Sequence, residues 1–313
     1  MTEARAQLPG KFESPALTAK GERRARVRLK ALETLWINTG TLCNLTCEHC
    51  YIESSPRNDR LVYITAAEVR AYLDEIRERS LPTRTIGFTG GEPFMNPEFM
   101  EMLEDALGRG FSVLVLTNAM LPMQHKREAL LRLKTAHGER LVLRVSVDHY
   151  TQEVHEAERG PRSWEPTIRG LSWLAREGFA LAVAGRMLSG EPEEEIRAGF
   201  ARLFTELDLP LDPDDPEQLV IFPEMDEKAE VPEITESCWG ILGVDPDTVM
   251  CATSRMVVKR KGAERPAVLS CTLLPYDRQF ELGATLAEAE GAVPLNHPHC
   301  AKFCVLGGAS CGG

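Results

Sequence analysis

Strand-like and helix-like patterns alternate along most of this chain, and this alternation limits the fold more than any other feature. Short runs of apolar and β-branched residues are separated by segments with helical spacing of apolar residues, as at Val69, Tyr72, Leu73 and Ile76. Strands that alternate with helices pair in parallel through right-handed crossovers. The sequence therefore predicts an α/β fold with a parallel sheet.

Six strands and five longer helices are predicted within this alternating part of the chain. The predicted strands cover residues 35–37, 85–89, 111–117, 141–148, 179–187 and 219–222. The predicted helices cover residues 65–79, 97–108, 126–133, 165–177 and 191–206, and the first begins with the S/T-x-x-E spacing of a capping box at Thr65 and Glu68. The alternation predicts three parts: an N-terminal extension (1–31), an α/β unit (32–222) and a cysteine-rich C-terminal module (223–313). Within the module we expect a β-hairpin that turns at Gly262 and then a short helix over 283–290.

Composition excludes several classes of function. The formal net charge of −11 argues against nucleic-acid binding, which depends on clustered lysine and arginine. The sequence contains neither an apolar run of about 18 residues nor an N-terminal apolar signal, so we expect a cytoplasmic protein that does not enter a membrane. Nine cysteines in such a chain indicate metal or redox ligands, and their two groups, at 43–50 and 238–311, indicate two sites.

The first group is the C-x3-C-x2-C triplet of Cys43, Cys47 and Cys50, directly after the first predicted strand. Three thiolates on one loop can bind three irons of a [4Fe–4S] cluster and leave the fourth iron open. A structural zinc site is the alternative, but it needs four nitrogen or sulfur ligands. The triplet resembles the signature of the radical S-adenosylmethionine (SAM) superfamily, in which the open iron binds SAM. His49 stands where that family usually has an aromatic residue.

A second motif, Gly90-Gly91-Glu92-Pro93, follows the second predicted strand. Ligands of parallel-sheet enzymes bind at such strand ends, and two glycines allow a close backbone approach. The plain alternative is a strand-to-helix turn. The tetrapeptide resembles the family's GGEP motif, which implies that Glu92 holds the amino group of SAM.

Later strand ends continue the resemblance. Asn118 lies in Thr117-Asn118-Ala119, which resembles a TNG motif with alanine in place of glycine. Ser146 and Arg159 would bind the SAM carboxylate, and Asp148 would contact the SAM ribose, contact the substrate or cap a helix. The family resemblance further implies a partial (β/α)6 TIM-like barrel over about residues 32–222.

The C-terminal cysteines resemble those of a twitch domain, a shortened SPASM domain that holds an auxiliary [4Fe–4S] cluster. The favoured ligands are Cys251, Cys271, Cys300 and Cys304, with Cys311 as a substitute for Cys304 and Cys238 as a further thiol of the site. A zinc site completed by His297 or His299 is the alternative.

The resemblance implies a radical SAM oxidoreductase. A reducing protein such as flavodoxin or ferredoxin would supply the electron that cleaves SAM to a 5′-deoxyadenosyl radical, and the auxiliary cluster would accept an electron from a small-molecule or peptide substrate. Two alternatives remain open at this stage. One is a ribosomal-peptide maturase of the same superfamily, which crosslinks or epimerises a residue, and the other is a non-catalytic iron–sulfur electron-transfer or sensor protein.

Overall fold

A computed structural model describes residues 8–224 and 230–307. Within these ranges a nine-stranded sheet has the order β10-β9-β8-β2-β3-β4-β5-β6-β7, and a separate pair joins β1 to β11. The strands are β1 Arg26–Val27, β2 Thr34–Asn38, β3 Thr85–Thr89, β4 Ser112–Thr117, β5 Leu141–Asp148, β6 Ala180–Arg186, β7 Leu219–Phe222, β8 Ser254–Val258, β9 Ala267–Leu269, β10 Glu281–Gly283 and β11 Val293–Pro294.

The α-helices follow the strands in the predicted rhythm. They are α1 Ala66–Glu78, α2 Phe99–Gly108, α3 Leu121–Gln124, α4 Arg127–His137, α5 Gln152–Arg159, α6 Trp164–Arg176, α7 Glu193–Glu206 and α8 Cys238–Leu242. Single 3-10 turns lie at Pro93–Met95, Gly138–Arg140, Pro246–Thr248, Met250–Ala252, Arg278–Phe280 and Glu288–Glu290, and a π-helix covers Cys300–Leu306.

The strands β2 to β7 pair in parallel with their neighbours in chain order, as the alternation predicts. The sheet is open between its edge strands β7 and β10, so the α/β fold is confirmed as a partial, unclosed TIM-like barrel. The predicted capping box begins α1, because the Thr65 hydroxyl accepts from Glu68 N at 3.2 Å and the Glu68 carboxylate accepts from Thr65 N at 3.0 Å.

Side-chain alternation along the strands separates two apolar layers. Leu35 and Ile37 of β2 join the core formed with the helices, whereas Trp36 between them faces a second core. This second core contains residues of the C-terminal part of the chain, such as Phe280 and Phe303. The helices therefore cover one face of the sheet, and the C-terminal residues cover part of the other.

The C-terminal hairpin is present and extends the same sheet. Strands β8 and β9 are antiparallel, and β8 pairs in parallel with β2. The predicted helix over 283–290 is wrong, since this stretch contains a strand end and one 3-10 turn. The Glu288 carboxylate accepts from Thr285 N at 3.2 Å and Thr285 Oγ1 accepts from Glu288 N at 3.2 Å, so a capping box begins this stretch, but the backbone becomes extended at Gly291, with a ψ of 151°, directly after the 3-10 turn.

The N-terminal residues pack against the C-terminal part of the chain. Strand β1 pairs with β11, and the fully buried Arg24 forms an ion pair of 2.5 Å with Glu233. Arg24 also donates to the carbonyl of Leu295 at 3.2 Å. Among the described residues, no helix combines the length and the apolar character that crossing a membrane requires.

Candidate functional site

A cavity of about 180 Å³ lies at the carboxyl ends of the parallel strands, where enzymes of this fold class bind ligands. The cysteine loop after β2, the glycines after β3 and the ends of β4, β5 and β6 contribute to its wall. The predicted site residues that line this cavity are Cys43, Cys47, His49, Cys50, Gly90, Gly91, Asn118, Ser146, Asp148 and Arg159. The structure therefore brings together residues that lie more than one hundred positions apart.

The three cysteines of the first group all face this cavity. Cys43 is buried and accepts from Leu45 N at 3.4 Å, while Cys50 accepts from Ser54 N at 3.3 Å. Burial raises the pKa of Cys43 to about 12 and that of Cys47 to about 11. In ranges 8–224 and 230–307, no three histidine, cysteine or acidic side chains are close enough to hold a metal ion. Because thiolates are the ligands of iron, cluster binding would release the protons of these thiols.

The donor set nevertheless fits an iron–sulfur cluster. Three soft thiol donors from one loop open into a cavity, whereas a structural zinc site is closed by a fourth protein ligand. The space beside the triplet can accept a ligand of the open iron. Cys43, Cys47 and Cys50 are the residues that would hold such a cluster.

Gly90 and Gly91 allow the cysteine loop to pack directly on β3. A Cβ atom at Gly91 would lie 2.1 Å from the carbonyl oxygen of Leu42, and one at Gly90 would lie 2.5 Å from that of Gly40. Backbone bonds hold the contact, since Gly91 N donates to Gly40 O at 2.8 Å. Sequence reasoning expects these glycines to approach a ligand; in the structure they also approach the loop that carries the predicted ligands.

Glu92 is fully buried beside the third strand end. Its carboxylate accepts from Thr117 Oγ1 at 2.9 Å, from Asn118 N at 2.9 Å and from Phe94 N at 3.3 Å. Burial raises its pKa to about 7, despite these three donors. Pro93 begins the 3-10 turn Pro93–Met95 and ends the strand segment. Glu92 lies outside the cavity lining, and its role toward SAM stays a prediction.

Asn118 connects the third strand end to the cysteine loop. Its Nδ2 donates to Asn44 Oδ1 at 2.9 Å and lies 4.0 Å from Cys43 Sγ. The next residue, Ala119, has a φ of +56°, a region that glycine adopts more readily. This conformation explains why a glycine suits the position and why alanine makes the turn stiffer.

Asp148 and Arg159 form a buried bidentate pair. Arg159 Nε donates to Asp148 Oδ2 at 2.7 Å, and Arg159 Nη2 donates to Asp148 Oδ1 at 3.0 Å. Asp148 has a φ of +62° at the end of β5, and the charge of Asp148 raises the pKa of Arg159 against the effect of burial. Sequence reasoning does not anticipate this pair. The predicted contacts of Ser146, Asp148 and Arg159 with SAM remain predictions.

His49 is held by Glu158, a residue that the sequence does not single out. Glu158 accepts from His49 N at 3.0 Å and faces His49 Nδ1 at 2.7 Å. Arg186 Nη1 donates to the same carboxylate at 2.6 Å, and Glu158 O accepts from Glu48 N at 2.8 Å. Helix α5, which carries Glu158, is also absent from the predicted elements. The one available signal is that Glu158 precedes Arg159, a predicted site residue.

Residues from the C-terminal part complete the cavity wall. Thr272, Leu273 and Phe303 line it, and the Phe303 ring stacks on Phe222 with centroids 5.9 Å apart. Tyr276 supports this wall from behind, because its hydroxyl donates at 2.6 Å to the carbonyl of Ile52, which lines the cavity. The C-terminal part therefore contacts both the cavity and the segment after the cysteine loop.

The second cysteine group is next in sequence to residues of this wall, since Cys271 precedes Thr272 and Cys304 follows Phe303. Cys251 and Cys300 are buried, and Cys271 and Cys304 are partly exposed. Burial raises the pKa of Cys251 to about 11 and holds the pKa of Cys300 well above its usual range, and proximity to Cys271 and Cys251 adds to the shift at Cys300. Cys300 and Cys304 share the π-helix Cys300–Leu306.

The sequence predicts two additional thiols at this site, Cys238 and Cys311, and the structure describes the first of them. Cys238 Sγ accepts from Thr235 N at 3.3 Å and packs against the second apolar core. Cys311 lies outside the described residues.

The sequence is similar to a known family and to characterised proteins. The sequence model of the Radical SAM superfamily matches residues 37–201. The antilisterial bacteriocin subtilosin biosynthesis protein AlbA of Bacillus subtilis is 33% identical over 143 residues, 45% of this chain and 30% of AlbA. The mycofactocin maturase MftC of Mycobacterium tuberculosis is 31% identical over 138 residues, 44% of this chain and 33% of MftC. The chain thus spans about a third of the length of these relatives.

Solved structures show the same fold at low sequence identity. SuiB of Streptococcus suis bound to S-adenosylmethionine has a TM-score of 0.60 at 12% identity, over 82% of this chain and 64% of SuiB. The structure of anSMEcpe with bound AdoMet has a TM-score of 0.58 at 14% identity, over 86% of this chain and 82% of that chain.

Proposed function

The chain belongs to the radical SAM superfamily, and on that premise we propose that it cleaves SAM reductively and abstracts a hydrogen atom from an unactivated carbon of its substrate. Membership implies a [4Fe–4S] cluster and SAM. When bound, they supply methionine and a 5′-deoxyadenosyl radical after transfer of one electron from a reducing protein such as flavodoxin or ferredoxin. The observation that supports this proposal best is the cavity that Cys43, Cys47 and Cys50 share with the four strand ends.

The protein's own residues position the reactants and exclude water. The triplet would hold the cluster, Glu92 would accept hydrogen bonds from the SAM ammonium group, and Ser146 and Arg159 would donate to its carboxylate. Phe222 and Phe303 supply an apolar wall, which protects a reactive carbon radical from solvent.

We further propose that Cys251, Cys271, Cys300 and Cys304 hold an auxiliary [4Fe–4S] cluster in a twitch/SPASM-like module. When bound, this cluster supplies an acceptor for the electron left on the substrate, so that the reaction is a net oxidation. Position supports the assignment: Cys271 precedes Thr272, Cys304 follows Phe303, and both of these neighbours line the cavity.

Analysis of the anaerobically reconstituted full-length chain tests both proposals. We expect about eight iron atoms per chain from two clusters, and dithionite-dependent formation of 5′-deoxyadenosine from SAM. Cys50→Ala should abolish 5′-deoxyadenosine formation and leave about four iron atoms, whereas the control Cys238→Ala should retain both properties. A wild-type protein that forms no 5′-deoxyadenosine contradicts the first proposal. Four iron atoms with one zinc would contradict the second.

A peptide substrate is a second candidate, and the relatives favour it. AlbA is named for biosynthesis of the bacteriocin subtilosin, MftC is named a mycofactocin maturase, and SuiB has been solved with the precursor peptide SuiA. We propose that this chain modifies a ribosomal peptide. Incubation with a short peptide encoded beside its gene, followed by mass spectrometry, tests this. Loss of two hydrogen atoms indicates a crosslink, deuterium uptake from D₂O without other mass change indicates epimerisation, and an unmodified peptide argues for a small-molecule substrate.

A further inference from the structure

A buried arginine lies beside the second cysteine group. Arg255 of β8 is fully buried, and its nitrogen atoms donate to four backbone carbonyls. Nε donates to Ala289 O at 2.8 Å, Nη1 donates to Cys251 O at 2.6 Å and to Ser254 O at 2.8 Å, and Nη2 donates to Gly291 O at 3.4 Å. These carbonyls satisfy the donors, but they carry no net charge. The guanidinium group is therefore held in place without being neutralised.

Within the described residues, no carboxylate compensates this charge, because Arg255 forms no ion pair with an acidic side chain. The ionisable groups that act on Arg255 are the thiols of Cys251 and Cys271. Burial lowers the pKa of Arg255, and the two thiols oppose that shift when they are ionised. Arginine keeps its proton in proteins, so the positive charge persists. An unpaired buried charge is costly, and the region therefore favours anionic sulfur at these two cysteines.

The two thiols belong to the proposed set of cluster ligands. Cys271 and Cys251 also add to the effect of burial on the raised pKa of Cys300, so three members of the set are close together. Cysteine binds metal as the thiolate, and a [4Fe–4S] cluster with four thiolates carries a net negative charge. That negative charge increases by one when the cluster accepts an electron. A fixed positive charge beside two of the ligands therefore favours both the bound cluster and its reduced form.

We propose that Arg255 is the counter-charge of the auxiliary cluster, and that it raises the reduction potential at which this cluster accepts an electron. Charges interact strongly in such a buried region, because little solvent screens them. The electron that the substrate radical gives up reduces the cluster, the product releases one proton, and an oxidised carrier protein such as flavodoxin takes the electron back. Arg255 acts through the cluster, so it is a positioning residue. The inference rests on the proposed function, since it concerns the proposed auxiliary cluster.

A redox titration followed by electron paramagnetic resonance tests the proposal without substrate turnover. The reconstituted full chain carries Cys50→Ala, so that the auxiliary cluster is titrated alone. In this background, Arg255→Gln should shift the equilibrium between the two redox states at least about tenfold toward the oxidised cluster. This shift lowers the midpoint potential by ~59 mV or more for a one-electron couple. Arg278→Gln, which removes an exposed charge from the same part of the chain, should change the equilibrium by less than about threefold, because solvent screens that charge.

Arg255→Lys separates the charge from the hydrogen bonds, because lysine keeps the charge but lacks the guanidinium fork. Its equilibrium should stay within about threefold of that of the parent chain, and this variant decides the matter if Arg255→Gln does not fold by near-ultraviolet circular dichroism. The proposal is overturned by an unchanged potential in folded Arg255→Gln, by a tenfold shift in Arg255→Lys, or by loss of folding in both variants. A Cys50→Ala chain without any iron–sulfur signal contradicts the auxiliary cluster itself, whereas a cluster whose potential is independent of Arg255 contradicts only this inference.

Discussion

The contact between Glu158 and the cysteine loop gives the sharpest prediction. We expect Glu158→Gln to destabilise the metal-free protein, because the carboxylate is buried and serves three donors: His49 N, His49 Nδ1 and Arg186 Nη1. Glutamine has nearly the same shape as glutamate, but it has only one acceptor oxygen. Its amide NH₂ group would face a donor of the protein in place of the second carboxylate oxygen.

The size of the effect follows from these three bonds. Hydrogen bonds to a charged group contribute ~1.5–3 kcal/mol, and neutral ones contribute ~0.5–1.5 kcal/mol. Removing one partner of a buried ion pair outright costs ~3–5 kcal/mol, and glutamine retains part of the interaction. The expected loss in free energy of unfolding is therefore about 2–4 kcal/mol.

Urea unfolding under anaerobic, reducing conditions measures this loss. Glu153→Gln is the matched control, since Glu153 is exposed on the same helix α5 and should change stability by less than ~0.5 kcal/mol. The double variant with Arg186→Gln should be less destabilised than the sum of the single variants, by at least ~1 kcal/mol. Two results would contradict the described role of Glu158 at the loop. One is a loss of stability in Glu158→Gln as small as that in Glu153→Gln, and the other is a double variant whose loss equals the sum of the losses in Glu158→Gln and Arg186→Gln.

Two further predictions concern the residues after β3. Gly91→Ala should displace the cysteine loop from β3, because the added Cβ would lie 2.1 Å from Leu42 O. We expect the free energy of unfolding to fall by ~1–3 kcal/mol. A colorimetric iron assay should show poor iron incorporation. Gly108→Ala, whose Cβ meets no atom within 4 Å, is the control and should load iron normally. The pKa of Glu92 is about 4.5 in the unfolded chain and about 7 in the folded protein. Folding therefore favours the protonated carboxyl group, and the metal-free protein should lose stability as the pH rises through this window. The total loss should be roughly 3 kcal/mol, after which stability no longer changes with the ionisation of Glu92. Glu92→Gln should lack this slope in urea midpoints measured from pH 4 to 8; an identical slope would mean that another group titrates.

Local patterns predict the elements that carry the site. The strand ends at Thr89, Thr117 and Asp148 lie where apolar runs stop and polar residues begin, and the structure ends β3, β4 and β5 there. The capping box at Thr65 is equally local, because its two partners are three residues apart. Periodicity and capping depend on near neighbours, so the sequence contains them directly.

Contacts between residues that are distant in sequence cannot be predicted from periodicity or capping. Glu158 lies 109 residues from His49, and nothing in either segment identifies the other as its partner. The parallel pairing of β8 with β2 is similar, since a short apolar run does not specify which strand it joins. The wrong helix over 283–290 has a different cause, because the local capping signal of Thr285 and Glu288 is followed by a 3-10 turn and then by extended backbone at Gly291.

The pairing of β2 with β8 also determines the order in which the site can be assembled. Strand β2 leads directly into the cysteine loop, but its neighbour β8 comes about 220 residues later in the chain. Tyr276, which donates to Ile52 O behind that loop, comes later still. A ribosome releases these segments long after β2, and contacts so distant in sequence form late in folding. The loop that carries the first three cysteines therefore stays accessible on one side until β8 and Tyr276 have been synthesised, and it becomes enclosed only after that.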